Sequence, residues 1–282
     1  MPTFDTPEPI SVTTEVVIGD IRITTGDRDV TVVDVRPSDA TNIDDVHAAE
    51  QTRVEFANDR LLVKAPKLRS WLPWTAGGSI DVTIELPAGS HVRAAGQLTD
   101  FHATGELGDS TIKTGLGQIQ IERAAAVNLK TGIGDITVGH VSGHADISAG
   151  SGEVRVQELA GSAVVKNSNG DTLIGEAHGD LRVNAANGSI AIEVAHASVV
   201  AKSSNGDVRV GDAVRGSVVL ETRLGDLEVG IREGTAAYLD VRAAAGRVHN
   251  MLEAAEAPDR SSETVEVRGR TSAGSIVVRR PS

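Results

Sequence analysis

The chain contains no cysteine, so neither a disulfide nor a thiolate metal site can hold its fold together. Aromatic residues make up 2% of the 282 residues, which leaves no large rings to fill a thick core and points to a thin aliphatic interior. No run of 18 apolar residues occurs, and no transmembrane helix is expected. The segment Met1 to Ile10 carries prolines and acids but neither a basic stretch nor an apolar one. A secretion signal is therefore not expected, and cytoplasmic residence is the expectation. The net charge of −12 opposes nonspecific nucleic-acid binding. Catalytic motifs are missing too. There is no Gly-x-Ser-x-Gly elbow, and the pairs Gly115/Gly117 and Gly132/Gly134 read as strand corners rather than phosphate loops before helices. An enzyme is not expected, nor is a cofactor.

What the sequence does contain is one phrase, nine times: a small residue, two variable residues, glycine, a mostly polar residue, then two apolar residues one apart. The glycines are Gly117, Gly134, Gly152, Gly170, Gly188, Gly206, Gly225, Gly246 and Gly274, spaced by 17, 18, 18, 18, 18, 19, 21 and 28 residues. A period this regular means one repeated supersecondary unit. Within a unit, Leu181/Val183 and Ile190/Ile192 alternate with polar neighbours, the period-two signature of half-buried strands. Each unit then holds two short strands parted by a glycine corner. Inward columns run Val127/Leu129, Ala145/Ile147, Ala163/Val165, Val199/Ala201 and Val218/Leu220 on the first strand. On the second they run Ile136/Val138, Val154/Val156, Thr172/Ile174, Val208/Val210 and Leu227/Val229. A third, smaller column reads Ala124, Val141, Leu159, Ala177, Ala195 and Ala213. One unit buries four or five such side chains at about 1.5–3 kcal/mol each. Ordering its backbone costs roughly 1–2 kcal/mol per residue. A lone unit therefore does not fold, and stability must come from stacking.

Two topologies satisfy the pattern. Asn-Gly at 169–170, 187–188 and 205–206 suits the type I′ turns of a hairpin meander. The same site reads Leu-Gly at 116–117 and 224–225 and Ile-Gly at 133–134, and a β-branched Ile at positive φ is strained. A single left-handed glycine makes a coil corner without that demand. Parallel stacking also lets the three asparagines form a side-chain ladder about 4.8 Å apart. The preferred reading is an all-β parallel β-helix or β-roll, right- or left-handed, with ~18 residues and two short strands per coil. The hairpin meander is the alternative.

Residues 1–104 read as a β-rich N-terminal capping region continuous with the solenoid, 105–250 as the regular repeats, and 251–282 as a loop and C-terminal β cap. Candidate strands in the first region are Glu15–Ile18, Asp20–Thr24, Val30–Val35, Arg53–Phe56, Arg60–Lys64 and Ser79–Leu86, with one short helix at Asp44–Glu50. Gly19-Asp-Ile-Arg-Ile23 repeats the core phrase once. Thr264–Arg268 and Ser275–Arg279 are expected to cap the far end.

Three features are candidate sites. Acids follow the repeat glycine at Asp135, Glu153, Asp171, Asp207 and Asp226, and lysines end the first strand at Lys113, Lys130, Lys166 and Lys202. This reads as a solvated charge ladder in which each sign offsets repulsion along the other column. Calcium is not expected, because the Gly-Gly-x-Gly-x-Asp nonapeptide of calcium β-rolls is missing. His178 and His196 lie one coil apart and should stack, but no third ligand is in register, His140 and His144 fall in other columns, and no metal site is expected. Both tryptophans sit in a Pro/Gly-bounded basic stretch with Lys67, Arg69, Trp71 and Trp74. Aromatics beside cations mark interface hot spots, so this is a candidate docking or self-association loop for a protein partner.

Lys130-Thr-Gly-Ile-Gly-Asp-Ile-Thr-Val138 and Lys166-Asn-Ser-Asn-Gly-Asp171 resemble the DUF4097 β-strand-repeat family, often labelled "putative adhesin". The resemblance covers residues 105–280 and the Gly19–Ile23 phrase, and Leu181–Gly188 and Arg215–Thr222 resemble its actinobacterial members. It implies the repeat fold and carries no catalytic residue. The expected role is a non-enzymatic interaction or structural scaffold. The alternatives are a self-assembling bactofilin-like filament and an adhesin exported without a signal peptide.

Overall fold

The structure, a computed structural model, describes residues 1–66, 78–252 and 263–281. Among these residues it is all-β, with 25 strands and one helix, and it comprises two compact units, Met1–Gly139 and His140–Ser282.

The second unit carries the repeat in its plainest form. Each coil contributes two strands, such as Ala145–Ser151 and Val154–Leu159, or Ala163–Asn169 and Thr172–Ala177. Every pairing runs parallel to the equivalent strand one coil away, so Ala163–Asn169 lies between Ala145–Ser151 and Leu181–Asn187. The unit is thus a parallel β-solenoid, and the hairpin meander is excluded. In-register pairing puts like residues above one another. Val156, Ile174, Ile192, Val210 and Val229 form one buried column. Ile147, Val165, Val183, Ala201 and Leu220 form the facing one. The third column, Leu159, Ala177, Ala195 and Ala213, is buried as well.

The order of coils departs from the order of sequence at the C-terminal side. Thr264–Ala273 pairs with Gly216–Leu224 on one edge and Ala236–Ala245 on the other. Ile276–Arg279 likewise lies between Leu227–Ile231 and Val248–Asn250. The last two strands are therefore slotted inside the stack, not placed at its end. Among the described residues, Ala236–Ala245 has a strand neighbour on one edge only. Its exposure follows from that position, and Tyr238 stands 61% exposed on it.

In the first unit, Ser11–Gly26 and His91–Leu107 are long strands that span two sides of a coil. Ser11–Gly26 pairs in parallel with His91–Leu107 on one edge, and with Arg60–Lys64 and Ile80–Pro87 on the other. Beyond these the direction changes. Val30–Pro37 runs antiparallel to Ile80–Pro87, Thr3–Asp5 antiparallel to Val30–Pro37, and Arg53–Ala57 antiparallel to Arg60–Lys64. Phe4 and Phe56 stack with ring centroids 5.0 Å apart and tie the two antiparallel margins together. The helix spans Ile43–Gln51, with Asn42 as its cap accepting from the Asp44 amide. Buried Asp45 accepts the Ser79 and Asp39 amides.

The corners explain the glycine. Their φ values run from +127° to +146°, beyond the left-handed helical region assigned from sequence and in territory that side chains rarely enter. A Cβ on Gly188 would lie 2.1 Å from the Gly170 carbonyl oxygen, and one on Gly170 would lie 2.1 Å from that of Gly152. Gly19 makes the same corner, with the Ile80 carbonyl oxygen 1.8 Å from the Cβ position. The conformation and the stacking distance both require glycine. Gly188→Ala should therefore cost ~3 kcal/mol or more in urea unfolding. Gly26→Ala, where nothing lies within 4 Å of the new Cβ and φ is not positive, should change stability by less than ~1 kcal/mol. Equal effects would refute the corner argument.

Candidate functional site

The outer surface is built by the same register that builds the core. Corner by corner, the second unit presents Asn169, Asn187 and Asn205 in one column. Asn187 Nδ2 donates to Asn169 Oδ1 at 2.9 Å, and Asn205 Nδ2 to Asn187 Oδ1 at 2.8 Å. The asparagine ladder expected from the sequence is thus present. Three of the five corner acids hold backbone amides. Asp171 Oδ1 accepts the Ser189 amide at 2.8 Å, Asp207 Oδ1 that of Asp226 at 2.8 Å, and Asp226 Oδ1 that of Ser275 at 2.7 Å. Each acid fastens the backbone of the next coil. Lys202 pairs not with a corner acid but with Glu221 one coil away, at 2.8 Å. The first unit repeats the acid device, with Asp100 Oδ1 accepting the Gln118 amide at 2.7 Å.

A groove in the second unit gathers cations. Its lining includes Lys202, Glu221, Arg223, Arg242 and Arg270. Register places them in one row, with Lys202 opposite Glu221, Glu221 opposite Arg270, and Arg270 opposite Arg242. Arg270 and Arg242 are like charges directly across adjacent strands, an arrangement that costs stability. Both are exposed, and Arg270 approaches Asp240 only at 3.8 Å. The sequence reading followed the lysine column and missed these arginines, because the coil swap that brings Arg270 beside Glu221 is invisible along the chain.

The histidines converge as well. The rings of His178 and His196 stack with centroids 4.5 Å apart and planes 11° from parallel. Glu176 Oε2 lies 3.4 Å from His178 Nε2 and 3.7 Å from His196 Nε2. Glu158 sits in the preceding coil, with one oxygen 3.6 Å from His178 Nε2 and the other 3.1 Å from His140 Nδ1. The expected stacking is correct. The third polar partner, judged absent from sequence, is Glu176, two residues before His178 and so on the same side of the chain. His144 lies apart from this group and contacts Ser162 Oγ at 3.0 Å.

In the first unit the Gly19 corner carries Asp20, opposite Asp81 and Asp100 on the flanking strands. Burial raises its carboxyl above the usual carboxylate range, against the pull of Arg22 and His102, and Asp81 and Asp100 add to the rise. One oxygen meets Arg22 at 2.7 Å, and the other is buried with no hydrogen-bond partner. Lys67, Arg69, Trp71 and Trp74 lie outside the described residues. Among the described residues, no helix is long and apolar enough to cross a membrane.

The profile of one family, Toastrack DUF4097, matches residues 10–279. The chain belongs to that family. Among solved structures, this Toastrack chain is similar to a "putative adhesin" from Bacteroides fragilis NCTC 9343, at 14% identity and TM-score 0.43, covering 98% of this chain and 95% of that one. It is also similar to a "putative lipid binding protein" from Parabacteroides distasonis ATCC 8503, at 11% identity and TM-score 0.45, again over 98% and 95%. A "putative adhesin" from the same strain aligns at 11% identity and TM-score 0.38, over 98% and 95%. No curated protein matches the Toastrack chain.

Two measurements check the electrostatics of its outer face. Arg242→Glu should stabilise the protein by ~0.2–1 kcal/mol in urea by relieving the Arg270 pair, with the gain shrinking in high salt. No gain at low salt would refute the repulsion. For Asp20, a raised folded pKa means that the native state holds a proton the unfolded chain has released. This contribution is complete below the ordinary carboxylate range and is lost as pH rises through the folded value. Asp20→Asn should raise the melting temperature at pH 7 and flatten its rise between pH 7 and 4. An unchanged pH profile would contradict the assignment.

Proposed function

We propose that this Toastrack chain is a non-enzymatic scaffold that holds a protein partner against the outer face of its coils. The observation that carries this reading is the cation row Lys202, Arg270 and Arg242 with Arg223, gathered around one groove of a chain whose net charge is −12. The fold accepts a repulsive Arg270–Arg242 pair there. Like charge gathered in this way favours a partner with an acidic face, which would neutralise it on docking. The basic tryptophan stretch, Lys67, Arg69, Trp71 and Trp74, is the second element of the proposal and supplies aromatic anchors. Cytoplasmic residence belongs to this reading, and detection of the protein on the cell surface would count against it and favour an exported adhesin.

A second reading is self-assembly. What favours it is the strand Ala236–Ala245, which among the described residues is paired on one edge only. An unpaired strand edge templates further pairing unless it is covered. Sedimentation velocity over a hundredfold range of concentration separates the two readings. The scaffold reading expects one species throughout, and an affinity-captured partner that is lost in both the Trp71→Ala/Trp74→Ala and the Arg223→Glu/Arg242→Glu variants. Growth to large species with concentration would overturn it in favour of filaments.

A further inference from the structure

We propose that Glu176, His178 and His196 form a binding site for a first-row divalent transition metal ion, zinc foremost, on the outer face of the second unit. The three donor atoms lie within 4.8 Å of one another. In a tetrahedral site with bonds of about 2.0–2.1 Å, neighbouring donors stand roughly 3.4 Å apart. Glu176 Oε2 stands 3.4 Å from His178 Nε2 and 3.7 Å from His196 Nε2, which is chelating distance for both pairs. The donor set decides the class of ion. Two imidazoles and one carboxylate suit zinc, nickel, cobalt or copper, whereas calcium and magnesium take all-oxygen shells.

The backbone holds the donors in register without help from the metal. The His178 amide donates to the Leu159 carbonyl and the His196 amide to the Ala177 carbonyl, both at 2.8 Å. Glu176 lies in the strand Thr172–Ala177, opposite Glu158 in Val154–Leu159. Side-chain freedom supplies the rest. The two rings are close to parallel, so directing both Nε2 lone pairs at one ion requires them to tilt toward each other. His178 and His196 are 40% and 28% exposed, which leaves both side chains solvent-facing surface toward which to rotate. Glu158, braced by His140, stands 3.6 Å from His178 Nε2 as a further carboxylate beside the ion. Bound metal would tie together the coils that carry Glu176 and His196, and binding only to the folded state raises stability.

The test uses tag-free full-length chain and zinc chloride alone. Isothermal titration calorimetry should show saturable binding of one zinc per chain, together with a rise in melting temperature. His178→Ala, His196→Ala and the near-isosteric Glu176→Gln should each weaken binding at least ~tenfold, while His144→Ala should bind as the parent does. Far-UV circular dichroism verifies that each variant retains its fold. With copper(II), electron paramagnetic resonance should report two coordinating nitrogens in the parent and one in His196→Ala. Absence of saturable heat below ~1 mM zinc, or parental affinity in folded Glu176→Gln and His196→Ala, would overturn the site.

Discussion

The structure depends on the contact between one corner and the next. At most corners a glycine, and at two of them Thr99 or Ile80, offers its carbonyl to the neighbouring coil, at a distance where a side chain on the facing glycine would collide. That carbonyl is not left bare. Thr222 Oγ1 donates to the Gly206 carbonyl at 2.9 Å, Thr271 to that of Gly225 at 3.0 Å and Ser203 to that of Gly188 at 3.1 Å. Asn167 does the same for Gly152 through its side-chain amide. The glycine amide in turn donates outward, as from Gly170 to the Asn187 carbonyl and from Gly188 to that of Asn205, both at 2.9 Å. With Asp171, Asp207 and Asp226 gripping the following amide, the backbone groups of these bends are paired from coil to coil. This satisfies the rule that buried backbone groups must be paired, and it does so at the place where a sheet would otherwise break.

The consequences spread outward. Because corners stack in register, strands stack in register, and the inward columns become continuous and mostly aliphatic lines, with Phe101 between Ile21 and Ile119 as a buried aromatic and Thr172 between Val154 and Ile190 as a buried hydroxyl. The same register makes the surface periodic. It puts three asparagines in a ladder, two imidazoles in a stack and two arginines in opposition. Which of these columns becomes functional depends on side chains at outward positions, where the core does not restrict the choice. The scaffold is uniform, and its chemistry lies in departures from uniformity.

Much of this was legible along the chain. Period-two alternation around Leu181/Val183 and Ile190/Ile192 named the core columns, and glycine recurrence named the coil. The Ile-Gly corner at 133–134 argued against hairpins on steric grounds that the structure bears out. What was not legible depends on pairing between segments of identical pattern. All coils present the same alternation, so nothing in the sequence says that Thr264–Ala273 is inserted between Gly216–Leu224 and Ala236–Ala245. For the same reason the arginine row was missed. Glu176 was overlooked because donors were sought one coil apart, while it approaches from two residues away. The small residue three before each glycine was legible only as part of the repeated phrase. Its hydroxyl, where present, is a hydrogen-bond donor to the previous corner, a role set by geometry that residue size alone does not reveal.

The most direct test of this account is residue-resolved amide hydrogen exchange at the corner glycines. If the corners are closed by hydrogen bonds from coil to coil, the amides of Gly170, Gly188 and Gly206 should be protected to the same degree as the strand amides of Val183 and Ile192. Exchange at the rate of an open loop, with the strands still protected, would mean that the corners are slack and that the strands alone hold the stack.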